Sequence, residues 1–475
     1  LINQNIKKIL NSVMFVDNLF SKINTSKSHR YLYLTPHVYT VGDCSTEILY
    51  GIIKAKSRKK KLFIIYPYDI PFIFRWKLTN NELFLLESKY IVKQGKYVRL
   101  MVRLLATLVY VPIRIYGLIA RDYFGKNIDE SVSIPRIGER EVYSPINGEN
   151  IYNYSLTRQY VSDWWGRGEM KDAVVGLHLQ FEFNSINSLK KTLGMSENDW
   201  YVCLHVRENG FRNDKDRREY RNSNIRNYIK AIREITLRGG WVIRMGDNTM
   251  TRLPKMERVI DYPFTYHKSD LNDLLLIKYC YFYIGNQSGI LDTANLFSKN
   301  VLIINMIDWS ASGLYGRYAR GILKHWYSKK EKKYVSLEWL FKNMVGFITE
   351  EYAMYSNSSE HHKWKGVHGF PISMEDYTLV ENSEDEIKDA VVEYLDMLTS
   401  DDYSPSNFQS LFSMYRQKCI ENILFDKHKG VYMFGSDKRN LINNNNFSFR
   451  TELSNGFISN CFLSKNWSSN SRNSS

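Results

Sequence analysis

The chain has 475 residues, too many for one ordinary hydrophobic core, so two domains with extensions are expected. Its 44% hydrophobic and 14% aromatic content is ample for globular packing, and its five cysteines are odd in number, dispersed and never in a C-x-x-C pair. That pattern speaks against a secreted disulfide scaffold or a zinc site and for a reducing cytosol. Net charge is +15 and uneven: residues 1–125 carry 20 Lys and Arg against 7 Asp and Glu, a net of +13. An anionic surface facing this quarter is expected, whether phospholipid, nucleic acid or an acidic polymer. The chain opens on Leu, and no signal peptide is legible.

Residues 4–21 place Ile6, Leu10, Val13, Val16 and Phe20 at helical spacing, which predicts an amphipathic helix docked on its own domain. A strand, Tyr31–Leu34, leads into a loop over 35–43 that carries His37, Gly42 and Asp43. A helix over about 45–56 and a strand over 61–66 complete a β-loop-α-β unit, the opening of a first nucleotide-fold domain. The loop after the first strand of such a domain faces its partner, so Asp43 and Glu47 are candidate proton acceptors.

Between 96 and 121, Lys96, Arg99, Arg103, Arg114 and Arg121 fall within roughly 60° of one helical face, with Leu104, Leu105, Leu108, Val109, Val111 and Ile115 on the others. Charge-free runs there are far shorter than the roughly 20 residues of a membrane span. Two readings stand: a basic face on an anionic membrane surface, or a helix packed within its domain, kinked or split by Pro112 and Gly117. Residues 1–170 form the first domain on this reading and 171–199 a connection. The second domain covers 200–400, and 401–475 is a helical extension ending in a loose Asn- and Ser-rich tail.

The second domain announces itself by repetition. Three apolar runs, 200–208, 240–247 and 281–290, each end in a polar or glycine-containing loop followed by a helical pattern, and Val301–Asn305 adds a fourth buried strand. This predicts a parallel sheet with crossover helices. Ligands of such sheets bind beyond the carboxyl ends of the strands, where this chain places His205, Arg207, Arg244, Asp247, Asn286, Gln287, Ser288 and Gly289. Asn222 and His267 are further candidates for the same pocket. A basic loop, 212–219, beside that edge reads as a solvated charge run or as a mobile lid. His361, His362 and His368 have no carboxylate or cysteine at ligand spacing and read as a surface loop. Ser383 with Glu386 makes a capping box for a helix to about Leu398.

A diphosphate at this edge is held by a metal or by positive groups with backbone N–H donors. No Asp-x-Asp pair stands at a strand end. Arg207 and the loop 285–289 opening a helix supply the second means, through two guanidinium donors and the helix dipole. Each residue also has a plainer reading: His205 as a structural histidine, Arg207 as the partner of Glu208 or Asp247, Gly285-Asn286 as a simple turn and Asn222 as a helix cap.

The motifs His205-Val-Arg207-Glu208, Tyr220-Arg221-Asn222, Val242-Ile-Arg244-Met-Gly246-Asp247, Lys268-Ser269-Asp270 and Ile284-Gly285-Asn286-Gln287-Ser288-Gly289 resemble, in order, those of a family of glycosyltransferases of bacterial surface-polysaccharide clusters. Residues 380–387 and 458–463 resemble the family's ending, so the likeness covers roughly 200–465. More distantly, His205-x-Arg207 is similar to the H-x-R of fucosyltransferase-type GT-B enzymes. The resemblance implies an α/β, GT-B-like fold of two Rossmann-type domains facing a cleft. It also implies metal-independent transfer of a hexosyl or deoxyhexosyl group from a UDP- or GDP-linked donor, without a cofactor, to a surface or lipid-linked glycan at the cytoplasmic face of the membrane. Arg207 then grips the pyrophosphate, Arg244 assists, and Asp43 or Glu47 takes the acceptor proton, although Asp43 stands where the pattern has His. The rival is a non-catalytic glycan- or nucleotide-binding protein of the same fold. A nucleic-acid partner is not expected, because no recognised module is present and the arginine face is interleaved with aliphatics.

Overall fold

The computed structural model describes residues 30–36, 38, 40–68, 79–108, 142–143, 151–152, 178, 182–208, 210, 219–307, 318–342, 376–400, 406–415 and 458–468. The expected helix over 4–21, the loop 211–218, His37, Arg114, Arg121 and the histidines near 361 lie outside these residues. The described residues group into two compact units, one ending at Glu182 and the other beginning at Phe183.

The first unit is built on β1 (Tyr31–Leu34) and β2 (Lys61–Ile64), paired in parallel with Leu32 opposite Leu62 and Leu34 opposite Ile64. The crossover between them is α1 (Val41–Ser57). The helix sits close on the strands because residue 51 is Gly: a Cβ there would lie 2.8 Å from Leu34 Cδ2 and 2.9 Å from Leu62 Cδ1. It also starts four residues before the expected boundary. Thr40 is extended and its carbonyl accepts from Cys44 N at 3.0 Å, so Gly42 and Asp43 belong to the first helical turn rather than to a loop. Thr40 Oγ1 donates to the Asp43 carboxylate, which ties that side chain to the helix start. Glu47 stands one turn later and is buried.

The second unit contains a six-stranded, wholly parallel sheet. Its strands are β3 (Tyr201–His205), β4 (Trp241–Arg244), β5 (Val259–Asp261), β6 (Phe282–Gly285), β7 (Asn300–Met306) and β8 (Arg320–Leu323). In space they run β5-β4-β3-β6-β7-β8. The chain winds outward from β3 in one direction, returns, and winds outward from β6 in the other. This is the strand order of the classic doubly wound Rossmann fold, with its switch point between β3 and β6. The helices after β3, β5 and β6 are α2 (Ile229–Leu237), α3 (Asp270–Tyr279) and α4 (Gly289–Leu296). β3 is buried along its whole length, as expected for a strand covered on both faces. The sequence missed β5, which is three residues long, and β8, whose run Arg-Gly-Ile-Leu is interrupted by polar and small residues.

A second, antiparallel sheet of β9 (His325–Ser328), β10 (Lys333–Tyr334) and β11 (Tyr377–Val380) follows. β11 leads into α5 (Glu384–Thr399), which begins on the expected capping box: Ser383 Oγ accepts from Glu386 N and Ser383 N donates to Glu386. α5 packs along α2, where Lys230 meets Asp385 at 3.0 Å and Arg238 meets Asp396 at 2.5 Å.

Of the two readings of the basic helix, the described residues 96–108 of the first unit fit packing within their own domain. Arg103 is turned inward, with its guanidinium 4.0 Å from the Tyr68 ring centre and 4.8 Å from that of Tyr66, and Nη2 donates to Pro67 O at 3.4 Å. Arg99 Nη2 donates to Gln94 O at 3.2 Å, and Thr107 Oγ1 accepts from Tyr68 N at 2.8 Å. Arginine on two aromatic faces is a structural contact. Arg103→Ala is therefore expected to lower unfolding free energy by about 1–2 kcal/mol in urea titration.

Candidate functional site

The switch point is held by backbone approach and one amide. Residue 285 must be glycine, since a Cβ would stand 2.0 Å from His205 O, the carbonyl that accepts from Asn286 N at 3.2 Å. Asn286 is buried. Its Oδ1 accepts from Arg207 N at 3.0 Å, and its Nδ2 faces Ser223 Oγ at 2.8 Å and Ile304 O at 3.2 Å. Beside it, Asn305 and Asn382 exchange bonds, Asn305 N to Asn382 Oδ1 at 3.0 Å and Asn382 N to Asn305 Oδ1 at 2.7 Å. Asn305 takes a left-handed backbone, φ 55°, a conformation Asn tolerates. These amides tie β3, β6, β7 and the chain after β11 together at one edge.

Against that edge lies a pocket of about 450 Å³ whose lining includes Glu208, Tyr220, Asn222, Lys324, Leu379 and Glu381. Asn222 sits between two cations. Its Oδ1 accepts from Arg207 Nη1, and its backbone O accepts from Lys324 Nζ at 2.7 Å. Lys324 is 4% exposed, and burial pulls its ammonium below the usual lysine range; Glu381 opposes this, and the neighbouring Arg207 charge adds to it. Glu381 accepts from Asn224 N at 2.9 Å and Asn227 Nδ2 at 3.2 Å, which ties the pocket's far wall to the 219–228 turn. Arg207 and the buried Lys324 thus converge on Asn222, in a pocket whose wall also holds the carboxylates of Glu208 and Glu381.

The other expected residues take several positions. His205 Nδ1 lies 3.0 Å from Ser288 Oγ, which is itself 3.3 Å from Tyr283 OH. Burial, with Arg244, Arg207 and Lys268 adding, drives the His205 imidazole down to about 3, so it is neutral near pH 7. Ser288 precedes α4 in an extended conformation, and Gly289 opens that helix. Gln287 Oε1 accepts from Ile307 N at 3.1 Å, and its carbonyl from Arg221 Nη2 at 2.8 Å.

Arg244 is fully buried and paired on both sides, Nη2 to Glu208 at 3.0 Å and Nη1 to Asp261 at 3.0 Å. Glu208 also accepts from Thr251 N and Oγ1, each at 2.8 Å. Arg244 thus pins the ends of β3 and β5 across β4. Asp247 accepts from Thr249 N at 2.8 Å and caps its own turn. His267 follows β5, and its carbonyl accepts from Asn272 Nδ2 at 2.7 Å; it does not line the pocket.

Sequence reasoning named the Tyr220-Arg221-Asn222 motif but missed Lys324 and Glu381. Lys324 follows a strand that was not predicted, and Glu381 lies in a segment read only as a helix start. Among the described residues no group of three or more His, Cys, Asp or Glu could hold a metal ion. Asp214 and Asp216 form an Asp-x-Asp spacing in the loop 211–218, outside the described residues.

No family profile and no curated protein matches the chain. Solved structures are similar to parts of it. One is the iron-containing dodecameric glycosyltransferase TibC from enterotoxigenic E. coli H10407, at 12% identity and TM-score 0.31 over 62% of either chain. Another is E. coli ADP-heptose lipopolysaccharide heptosyltransferase II, at 13% identity and TM-score 0.32 over 62% of this chain and 90% of that one. A third is the family 9 glycosyl transferase from Veillonella parvula, at 10% identity and TM-score 0.34 over 63% of this chain and 87% of that one. Across two TibC structures the chain spans 45% and 62% of that relative. The Rossmann assignment rests on the strand order itself.

Two measurements check the site's construction. Arg244→Ala leaves two largely buried carboxylates unpaired and is expected to cost about 3 kcal/mol in chemical denaturation. His205 gives a pH signature. Between its ordinary value of 6.5 and about 3, the unfolded imidazole binds a proton that the native one refuses. Stability from this group is complete above pH 6.5 and falls as pH drops, by up to about 1.4 kcal/mol per unit. In His205→Asn the slope of unfolding free energy between pH 6.5 and 4.5 is expected to be shallower.

Proposed function

We propose that the chain is a GT-B-type glycosyltransferase that moves a hexosyl or deoxyhexosyl group from a UDP- or GDP-linked donor to a surface-polysaccharide or lipid-linked glycan. The observation that carries this reading is the pairing of Arg207 and Lys324 on Asn222 beside the switch point, the place where doubly wound sheets bind nucleotides. The diphosphate lies against these two cations, and the first amides of α4 add the helix dipole. The bond from the anomeric carbon to the diphosphate oxygen breaks, and its electron pair stays on the diphosphate, where the cations stabilise it. The acceptor hydroxyl oxygen bonds the anomeric carbon, and its proton passes to a carboxylate base, for which Asp43 is the candidate, since Glu47 is buried. No metal takes part, and the reaction runs at the cytoplasmic face of a membrane.

A thermal-shift panel of UDP-, GDP-, CMP- and dTDP-sugars tests this reading. One donor is expected to stabilise the wild type, with affinity falling about 10–100-fold in Arg207→Ala and in Lys324→Met. Transfer is expected to survive EDTA and to collapse in Asp43→Asn while donor binding persists. Donor binding without transfer or hydrolysis to any glycan would make the chain a nucleotide-binding protein instead. Activity lost on chelation and restored by a divalent ion would overturn the metal-free mechanism.

A further inference from the structure

Lys324 leaves the large sheet where its ladder is irregular. Between the pair Gly321–Ile303 and the pair Leu323–Met306, β8 advances two residues while β7 advances three, so Ile304 and Asn305 together face Ile322. This is a β-bulge, and Asn305 carries it on its left-handed backbone. Bulges re-aim side chains but disrupt the ladder, and β8 lies at the edge of the sheet. The strands alone therefore fix Lys324 poorly.

Asn382 supplies what the ladder lacks. It is fully buried and comes from the segment between β11 and α5. A carboxamide offers one acceptor and two donors. Its Oδ1 accepts from Asn305 N, on the bulge, at 3.0 Å. Its Nδ2 donates to Leu323 O at 2.8 Å and lies 3.4 Å from His325 Nε2, so it meets the residues on either side of Lys324. Its own N donates to Asn305 Oδ1 at 2.7 Å, which closes a two-bond ring. An ionised aspartate could only accept and an aliphatic residue could do neither, so the pattern needs a carboxamide. Asn305 passes the restraint on: its Nδ2 donates to Ser223 Oγ at 3.0 Å, and Ser223 N donates to Arg207 O at 3.0 Å.

We infer that Asn382 is a positioning residue that sets where the Lys324 ammonium meets Asn222, a role that rests on the donor site proposed above. A lysine carries its charge on a flexible four-carbon stem, so the place of Nζ depends on the backbone from which the stem starts. Here that backbone is held at Leu323 O by Asn382 and at Lys324 N by Met306 O, 2.8 Å away in each case. Nζ then reaches Asn222 O at 2.7 Å. The pocket's lining includes the neighbouring Glu381 but not Asn382 itself, so its effect on binding is exerted through Lys324.

The test is calorimetric titration of the full chain with UDP and with GDP, beside urea unfolding of each variant. The wild type is expected to take one of these diphosphates, and Asn382→Ala to bind it about tenfold more weakly. Asn382→Ala/Lys324→Met is expected to bind as Lys324→Met alone does, because a misplaced ammonium and a missing one leave the same deficit. A residue that only held the fold together would weaken binding equally in both backgrounds. If Asn382→Ala is unfolded at the titration temperature, Asn305→Gly keeps the left-handed backbone, removes the other half of the ring and is expected to show the same pattern. Wild-type affinity in the folded single variant, or losses that multiply when it is combined with Lys324→Met, overturn the inference and leave the proposed reaction standing. A wild type that takes neither diphosphate, or a Lys324→Met chain that binds like wild type, removes the proposed site and the inference with it.

Discussion

The carboxyl edge of the large sheet depends on a buried amide. Asn286 is buried, so each of its polar atoms must find a partner or cost several kilocalories. It satisfies them with groups from separate parts of the chain: the Arg207 amide after β3, the Ser223 hydroxyl in the turn before α2, and the Ile304 carbonyl in β7. Each of these partners is thereby located to within a hydrogen-bond length. Gly285 permits the arrangement by letting β6 reach the His205 carbonyl. The Arg207 side chain is consequently presented from a backbone that has little freedom to move, which is what preorganised binding of a dianion requires.

Two arginines at neighbouring strand ends show how one residue type is used in opposite ways. Arg244 is enclosed by Glu208 and Asp261, so its charge is spent inside the fold. Arg207 meets a neutral carboxamide, and Lys324 meets the carbonyl of the same residue. Arg244 acts as a brace, while Arg207 and Lys324 converge on one residue of the pocket wall.

The core of the second unit was readable because a parallel strand covered on both faces must be a continuous apolar run, and β3, β4, β6 and β7 are such runs. The capping box was readable for the same local reason: both of its partners lie within four residues. What escaped depended on distant partners. Arg244 stands at a strand end like any ligand-binding arginine, and only the fold brings Glu208 and Asp261 to it. β8 is too short and too polar to betray itself, and Lys324 went unseen with it. The sequence left two readings of the 96–108 helix open, and the rings of Tyr66 and Tyr68, which come from another segment, decide for packing of Arg103 within its own domain. Asp43 was assigned to a loop, whereas the helix starts at Val41, just after the extended Thr40.

The far wall of the pocket comes from late in the chain. Glu381 meets Asn224 and Asn227, and α5 lies along α2, bridging more than 150 positions of sequence. During synthesis, therefore, β3 to β7 can pair as they leave the ribosome while the turn at 219–228 waits for its counterpart. The nascent sheet can thus pair before residues 376–400 supply both the pocket's far wall and the cover over α2.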